Sequence, residues 1–419
     1  MNIKKLLESK VVKNGTWLFV LQFANTVLPL LTILYVTRIL GAAGYGQFSV
    51  AYNWITYAQV FVEYGYTMNG ARKVAISDGL NSDDRLWRGI VCSRAILFLF
   101  SLVVLNIICL AHGDPEQYKN TMILMLIVCS VIFQMNWLFQ GKQQMQFITI
   151  VNVIGRVLSV LLIFLLVKDS SQVSLYCFLY AFTFIFSSLL GLVVAIKRFQ
   201  IRPKLASKSE IVEELKDGWS LFTSSAISRV FGSIGITILG IYASKSTVGA
   251  YSAVYKIPYM LNLCFAPIGQ ALFPHISQKY TKSPAEATVL VRKVMLFVAG
   301  SFGVICASIM ILRNWLVPIL FGSEYVSYSN LILILAPQLI LGIINNFLGV
   351  QTLVAAGFKD KYSHCVIANI MVLLGSNLLL CPRLNAYGTA FSALIAEAVL
   401  CVLLIIHCKK YVWQNRSLA

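Results

Sequence analysis

The sequence predicts an all-α polytopic membrane protein, with twelve transmembrane helices in two pseudo-symmetric six-helix bundles and a site between them. Three observations predict it. Of 419 residues, 58% are hydrophobic and only 12% charged, with a mean hydropathy of +0.78, whereas a soluble domain carries roughly 25% charge. Apolar runs of 18 residues or more recur along the whole length, each long enough to cross the hydrocarbon core as a helix. The second half of the chain repeats the first. Soluble multidomain, disordered, collagen-like and disulfide-stapled classes are excluded by this composition.

Taken in order, the apolar runs and their breakers place helices at about 14–39, 47–68, 89–111, 120–140, 147–167, 174–196, 219–243, 250–273, 292–312, 329–355, 364–381 and 388–407. The first run follows Lys4, Lys5, Lys10 and Lys13 as a secretory signal would. It is well beyond the 7–15-residue core of a signal and is read as a retained helix. With the N-terminus inside, the cytoplasmic segments hold 24 Lys or Arg and the outer ones six: Arg38, Lys119, Lys168, Lys245, Arg313 and Arg383. That asymmetry places both termini in the cytoplasm. The net charge of +18 is therefore topological and does not mark a nucleic-acid surface.

The longest inner connection, 197–218, divides the chain into an N-terminal bundle (1–196) and a C-terminal bundle with a short tail (219–419). Shifting the second half back by 203 residues aligns Lys13, Gly15, Leu18, Phe19, Val27, Ile33, Gly46, Ser49 and Tyr52 with Lys216, Gly218, Leu221, Phe222, Val230, Ile236, Gly249, Ser252 and Tyr255. Six helices per half give both halves the same orientation, so the repeat is parallel, about an axis normal to the membrane. This is a transporter architecture.

Chemistry of other kinds is missing. Gly141-Lys142 is followed by Gln143 and position 136 is Asn, so no phosphate-cradling loop exists there. The glycines Gly41, Gly44 and Gly46 fall in an expected outer loop, the wrong place for a dinucleotide. Neither a nucleophile elbow nor an H-E-x-x-H helix is present. The histidines His112, His275, His364 and His407 sit at expected helix ends. Cysteines lie mostly inside apolar runs as small hydrophobes, without C-x-x-C spacing. No cofactor or metal is expected.

Six ionisable side chains remain within the spans: Glu63, Arg94, Arg156, Arg229, Lys256 and Glu397. Each is costly in lipid and is expected to face a cavity or a partner. Arg94 lies about 9 Å into its expected helix, close enough to snorkel to the cytoplasmic headgroups. Glu63 is near the inner face beside potential Arg partners, and Lys256 is near the outer end of the eighth helix. Arg229, about 15 Å along the seventh helix, and Arg156 are deeper, while Glu397 in the last helix can neutralise an Arg or couple transport to an ion. Four positive charges against two negative favour an anionic cargo. Arginine forks suit phosphate oxygens, so a phosphate or pyrophosphate is the natural group. Gln22, Asn25, Thr26, Asn53, Gln59, Ser224, Ser225 and Ser228 are polar within the spans and serve either hydroxyl-rich cargo or interhelical bonding.

Several stretches carry a resemblance. They are Leu40-Gly41-Ala42-Ala43-Gly44-Tyr45-Gly46-Gln47-Phe48, Glu63-Tyr64-Gly65-Tyr66 with Gly70-Ala71-Arg72-Lys73, and Trp137-Leu138-Phe139-Gln140-Gly141. In the second half they are Gly249 to Lys256, Phe273-Pro274-His275, Phe321-Gly322-Ser323-Glu324-Tyr325 and Ala356-Gly357-Phe358-Lys359. In order and over the whole chain, these resemble the bacterial polysaccharide repeat-unit (O-antigen, Wzx-type) flippases of the multidrug/oligosaccharidyl-lipid/polysaccharide exporter superfamily. Relatives often have acids where this chain has Ala43 and Gln143, so a proton role at those two positions is not expected. The resemblance implies a V-shaped pair of bundles around a cationic central cavity lined by helices one, two, seven and eight, with Arg229, Lys256 and Glu63 inside. It implies a polyprenyl-pyrophosphate-linked oligosaccharide as cargo, moved across the bacterial inner membrane, with coupling to a proton or sodium gradient. Membrane lipids and the polysaccharide polymerase and chain-length machinery are the partners it suggests, without nucleic acid. Two alternatives remain. One is a small-molecule or drug antiporter of the same fold, although cationic drugs would favour an acidic cavity. The other is a membrane glycosyltransferase or polymerase, although the longest outer loop, 313–328, is short for one.

Overall fold

The structure is a computed structural model that describes residues 10–77, 80–202 and 204–413. Lys4 and Lys5 lie outside the described residues, as do the side chains of Lys10, Lys13, Ser224 and Ser228. The described chain is helical almost throughout. In order come α1 (Lys10–Glu63), α2 (Tyr66–Ala75), α3 (Leu80–His112), α4 (Pro115–Phe133), α5 (Asn136–Gly141), α6 (Met145–Leu166) and α7 (Val173–Phe199). Then come α8 (Lys208–Tyr242), α9 (Lys245–Val254), α10 (Lys256–Lys282) and α11 (Pro284–Phe321). A 3-10 stretch (Ser323–Leu331) leads into α12 (Ile332–Leu348), a π turn (Gly349–Val354) and α13 (Lys359–Cys408), and a second π turn (Lys409–Trp413) follows.

Among the described residues, eight stretches are long and apolar enough to cross a membrane. Two of these, Asn14–Ala75 with 62 residues and Lys359–Trp413 with 55, are each long enough for two passes. With α8 and the α9–α10 pair, which are more polar, the fold accommodates twelve passes.

Helix ends differ from the hydropathy reading in ways that have local causes. The expected loop between helices one and two is a one-residue break: α1 continues through Gly41, whose φ of 65° and ψ of −179° are the only non-helical angles in it. Glycine reaches that conformation without a side-chain penalty. The helix restarts at once because the Glu324 carboxylate accepts the Ala42 N–H at 2.9 Å, supplying the acceptor that a helix N-terminus lacks. Helices eleven and twelve are likewise one element, α13, broken at Asn385 (φ 49°, ψ −125°) just after Pro382. Conversely, the expected second helix is cut at Tyr64 and Gly65, both at positive φ, and the fourth at Gln134, which is extended.

The chain packs as two compact units, Met1–Leu40 with Gln47–Ser233 and Gly41–Gly46 with Ile234–Ala419. The connecting segment and the first part of α8 therefore pack with the first unit, and the units divide within α8. In the first unit Trp137 and Leu138 are completely buried. Small residues let backbones approach: a Cβ on Gly70 would press on Ile90 and Trp137, and one on Gly155 on Ser187 and the Thr183 carbonyl. The start of α8 is fastened by ion pairs from Lys73 to Glu214 (2.9 Å) and Asp217 (2.8 Å), from Arg85 to Glu213 (2.8 Å) and from Arg88 to Glu210 (2.8 Å). The Ser207 N–H holds the Glu210 carboxyl below the ordinary carboxylate range, while burial pushes Glu214 above it against the pull of Lys73.

In the second unit, residues 41–46 cross α9 backbone to backbone. A Cβ on Gly249 would overlap the Ala42 carbonyl, and one on Gly46 the Lys245 carbonyl. Gly46 and Gly249 are 203 residues apart, the offset at which the sequence repeats, so this close crossing joins two equivalent glycines. Further along, Gln351 donates to the Gly269 carbonyl at 2.8 Å, tying the π turn to α10.

Candidate functional site

The second unit holds a partly open polar cavity of about 340 Å³ between α10, α12 and α13. Tyr255, Tyr259 and Asn262 reach it from the start of α10, Asn345 and Asn346 from α12, and Glu397 from α13. Asn345 Nδ2 donates to Glu397 Oε2 at 2.6 Å and to the Glu397 backbone carbonyl at 2.9 Å. The carboxylate is thus oriented by one amide that reads both its side chain and its backbone. The Oδ1 atoms of Asn345 and Asn346 are buried without a hydrogen-bond donor, which leaves the cavity rich in oxygen acceptors around an acid. Lys256 Nζ stands 5.3 Å over the Tyr259 ring, a cation–π contact beside the same cavity wall.

The first unit holds the other ionisable residues. Arg94 is completely buried. Its Nη1 donates to the Gln134 carbonyl at 3.0 Å, its guanidinium lies 5.6 Å over the Tyr66 ring, and Nε and Nη2 have no acceptor. Arg94 thus caps the broken end of α4, which corrects the expectation that it snorkels to the headgroups. The reason is helix length: α3 begins at Leu80, nine residues before the expected start, so Arg94 is about 21 Å along it. Glu63, half-buried at the last turn of α1, is an electrostatic neighbour of Arg94, and no ion pair joins them among the described residues.

Arg156 is half-buried on α6 with its guanidinium 5.8 Å over Phe184, the end of an aromatic column running through Tyr180 to Tyr52 and Phe48. Arg229 is exposed on α8. Asn25 is half-buried with Oδ1 lacking a donor.

The structure therefore brings Glu63 near Arg94 within one unit, and Lys256 near the Glu397 cavity within the other. Among the described residues Glu397 is held by Asn345 and not by an arginine. Sequence reasoning missed the Asn345-Asn346 pair, whose signal was two adjacent amides inside a strongly apolar run. It also missed Tyr255 as a cavity residue, although the repeat had singled it out opposite Tyr52. Among the described residues no cluster of His, Cys, Asp or Glu suits a metal ion.

Long helices with charges at membrane depth, and a polar cavity inside a helical unit, define a polytopic membrane transporter. The chain belongs to the polysaccharide biosynthesis protein family, whose model matches residues 11–280. A protein of Escherichia coli (strain K12) that carries the name O-antigen transporter is 25% identical over 415 residues, 97% of each chain. One of Haloferax volcanii, named as a low-salt glycan biosynthesis flippase, Agl15, is 24% identical over 94% of this chain and 82% of its own. In fold the chain is similar to the lipid II flippase MurJ in an inward closed conformation, with a TM-score of 0.72 and 12% identity over 95% of this chain and 87% of that one. It is also similar to an inward-facing multidrug resistance MATE transporter, with a TM-score of 0.69 and 15% identity over 94% and 96%.

Proposed function

We propose that this protein is a flippase that moves a polyprenyl-pyrophosphate-linked oligosaccharide from the cytoplasmic to the periplasmic leaflet of the bacterial inner membrane by alternating access. The observation that carries the reading is the excess of cationic side chains within the expected spans even apart from the buried Arg94, namely Arg156, Arg229 and Lys256 against Glu63 and Glu397, in a chain similar from end to end to a protein named for O-antigen transport. The fold alone, shared with multidrug transporters, does not separate cargos. The charge does, because a diphosphate needs cations and a cationic drug needs acids.

Within that reading Arg229 is the residue for the pyrophosphate: it is exposed, permanently charged and deep in a membrane helix, with its planar fork available. Lys256, Arg156, Glu63 and Asn25 are the further side chains assigned to the cargo in this reading. Glu397, held by Asn345 in an acceptor-rich cavity, is the group for coupling to a proton or sodium gradient. Both termini lie in the cytoplasm, as the 24-to-6 charge asymmetry supports, and the polymerase and chain-length machinery receive the cargo.

The test is surface polysaccharide and membrane protein level measured together in cells depending on this protein. Arg229→Ala should be present at normal level and export little polysaccharide, and Arg229→Lys should rescue in part. Normal export by Arg229→Ala would contradict the role given to it.

A further inference from the structure

A second cavity, of about 440 Å³, lies in the same unit between α11, the end of α12 with the π turn that follows it, and the C-terminal π turn. Arg292, Thr288 and Met295 of α11 form one wall, Leu348 and Thr352 a second, and Trp413 the third. No acid lines it. Arg292 is exposed and has no carboxylate partner among the described residues, whereas Lys279 nearby in sequence pairs with Glu286 at 3.2 Å. Arg292 is about 12 Å into α11 from its first residue, within headgroup reach for an arginine.

The two threonines of the lining donate to their own helix backbone, to Pro284 O at 2.9 Å and Phe347 O at 2.8 Å, so neither has a proton left for a ligand. The cavity thus offers one guanidinium without a carboxylate, next to an apolar wall and an indole. Indoles belong at the membrane–water interface, and basic pockets between helices there take lipid phosphates.

We propose that this cavity binds one anionic phospholipid, with its phosphate on Arg292 and the start of an acyl chain along Met295, Leu348 and Trp413. The volume exceeds what a bare phosphate fills. With no acid in the lining among the described residues, the Arg292 charge is uncompensated, which favours a lipid of net negative charge over a zwitterionic one.

Native mass spectrometry of the full-length protein in mild detergent, titrated with dioleoyl phosphatidylglycerol or dioleoyl phosphatidylcholine, tests this. The wild type should retain one phosphatidylglycerol in preference to phosphatidylcholine. Arg292→Gln should weaken that binding about tenfold, as loss of one charge-assisted hydrogen bond does. Lys279→Gln, outside the cavity, should bind as the wild type does. Equal retention of the two lipids, or unchanged binding by Arg292→Gln, would overturn the site. Displacement of the phosphatidylglycerol by polyprenyl phosphate at equal concentration would also overturn it, by assigning the cavity to cargo. Neither result bears on the role of Arg229.

Discussion

Adding one methyl group at Gly249 should destabilise the second unit and test whether the repeat-equivalent crossing is as tight as described. The new Cβ would overlap the Ala42 carbonyl, and stand 2.7 Å from Gly46 N and 3.0 Å from Ala42 C. Ordinary carbon contacts begin near 3.4 Å, so the two segments must part by roughly 1 Å. There is nothing soft to yield: Ala42 and Tyr45 are 2% exposed and Val248 and Ala250 1% or less. Overpacking of this kind costs about 1–3 kcal/mol. The shift also stretches the Ala42 N–H bond to the Glu324 carboxylate, one turn before Gly46, and a hydrogen bond to a charged group is worth about 1.5–3 kcal/mol. The sum, about 2–5 kcal/mol, should lower the thermal midpoint in detergent by about 5 °C or more. Gly303→Ala is the control, since nothing lies within 4 Å of its Cβ position and alanine favours the helix. It should leave the midpoint unchanged or raise it. If Gly249→Ala is as stable as Gly303→Ala, the close crossing is not present in the molecule.

Three further outcomes follow from the same contacts. Arg94→Ala should lower stability by about 1–3 kcal/mol, because the Gln134 carbonyl loses its donor in a dry site, and the loss should appear as reduced protein in the membrane rather than as altered cargo preference. Glu397→Gln keeps an oxygen for Asn345 to donate to, so it should fold and reach normal levels while export in energised cells falls about tenfold or more; unchanged export would remove Glu397 from coupling. Burial raises the Glu214 carboxyl above its ordinary value, so the native state holds a proton that the unfolded chain has already released, and stability falls as pH rises from the ordinary Glu value through the raised one. In thermal scans at a series of pH values, Glu214→Gln should lose that dependence; an identical pH profile would contradict the assigned cause.

The spans were legible because crossing lipid leaves a composition signal that needs no tertiary information, and the repeat was legible because equivalent positions keep equivalent packing. The breaks were not. Hydropathy reads Gly41–Gly46 as a loop from its glycines, but the backbone ladder resumes after a single residue because Glu324, 283 positions away from Gly41, caps it. Arg94 was misplaced for the same reason in reverse: polar residues Asn81 to Arg88 suggest a loop, while the structure continues the helix through them. Of the site, the charged residues were visible as exceptions within apolar runs. Asn345 was not, because a neutral amide in a membrane helix is equally suited to joining helices, and only its distances to Glu397 distinguish the two uses.

The most direct test of the account is translocation in vesicles containing the purified protein as the only protein, loaded on the inner leaflet with a fluorescent polyprenyl-pyrophosphate-linked oligosaccharide and read by an impermeant sugar-binding probe outside. With an ion gradient imposed, the wild type should expose the labelled sugar, Arg229→Ala should expose little, and Glu397→Gln should lose the response to the gradient. No exposure by correctly folded wild-type protein, or equal exposure by wild type and Arg229→Ala, would contradict the claim that a cationic path carries a lipid diphosphate through this chain.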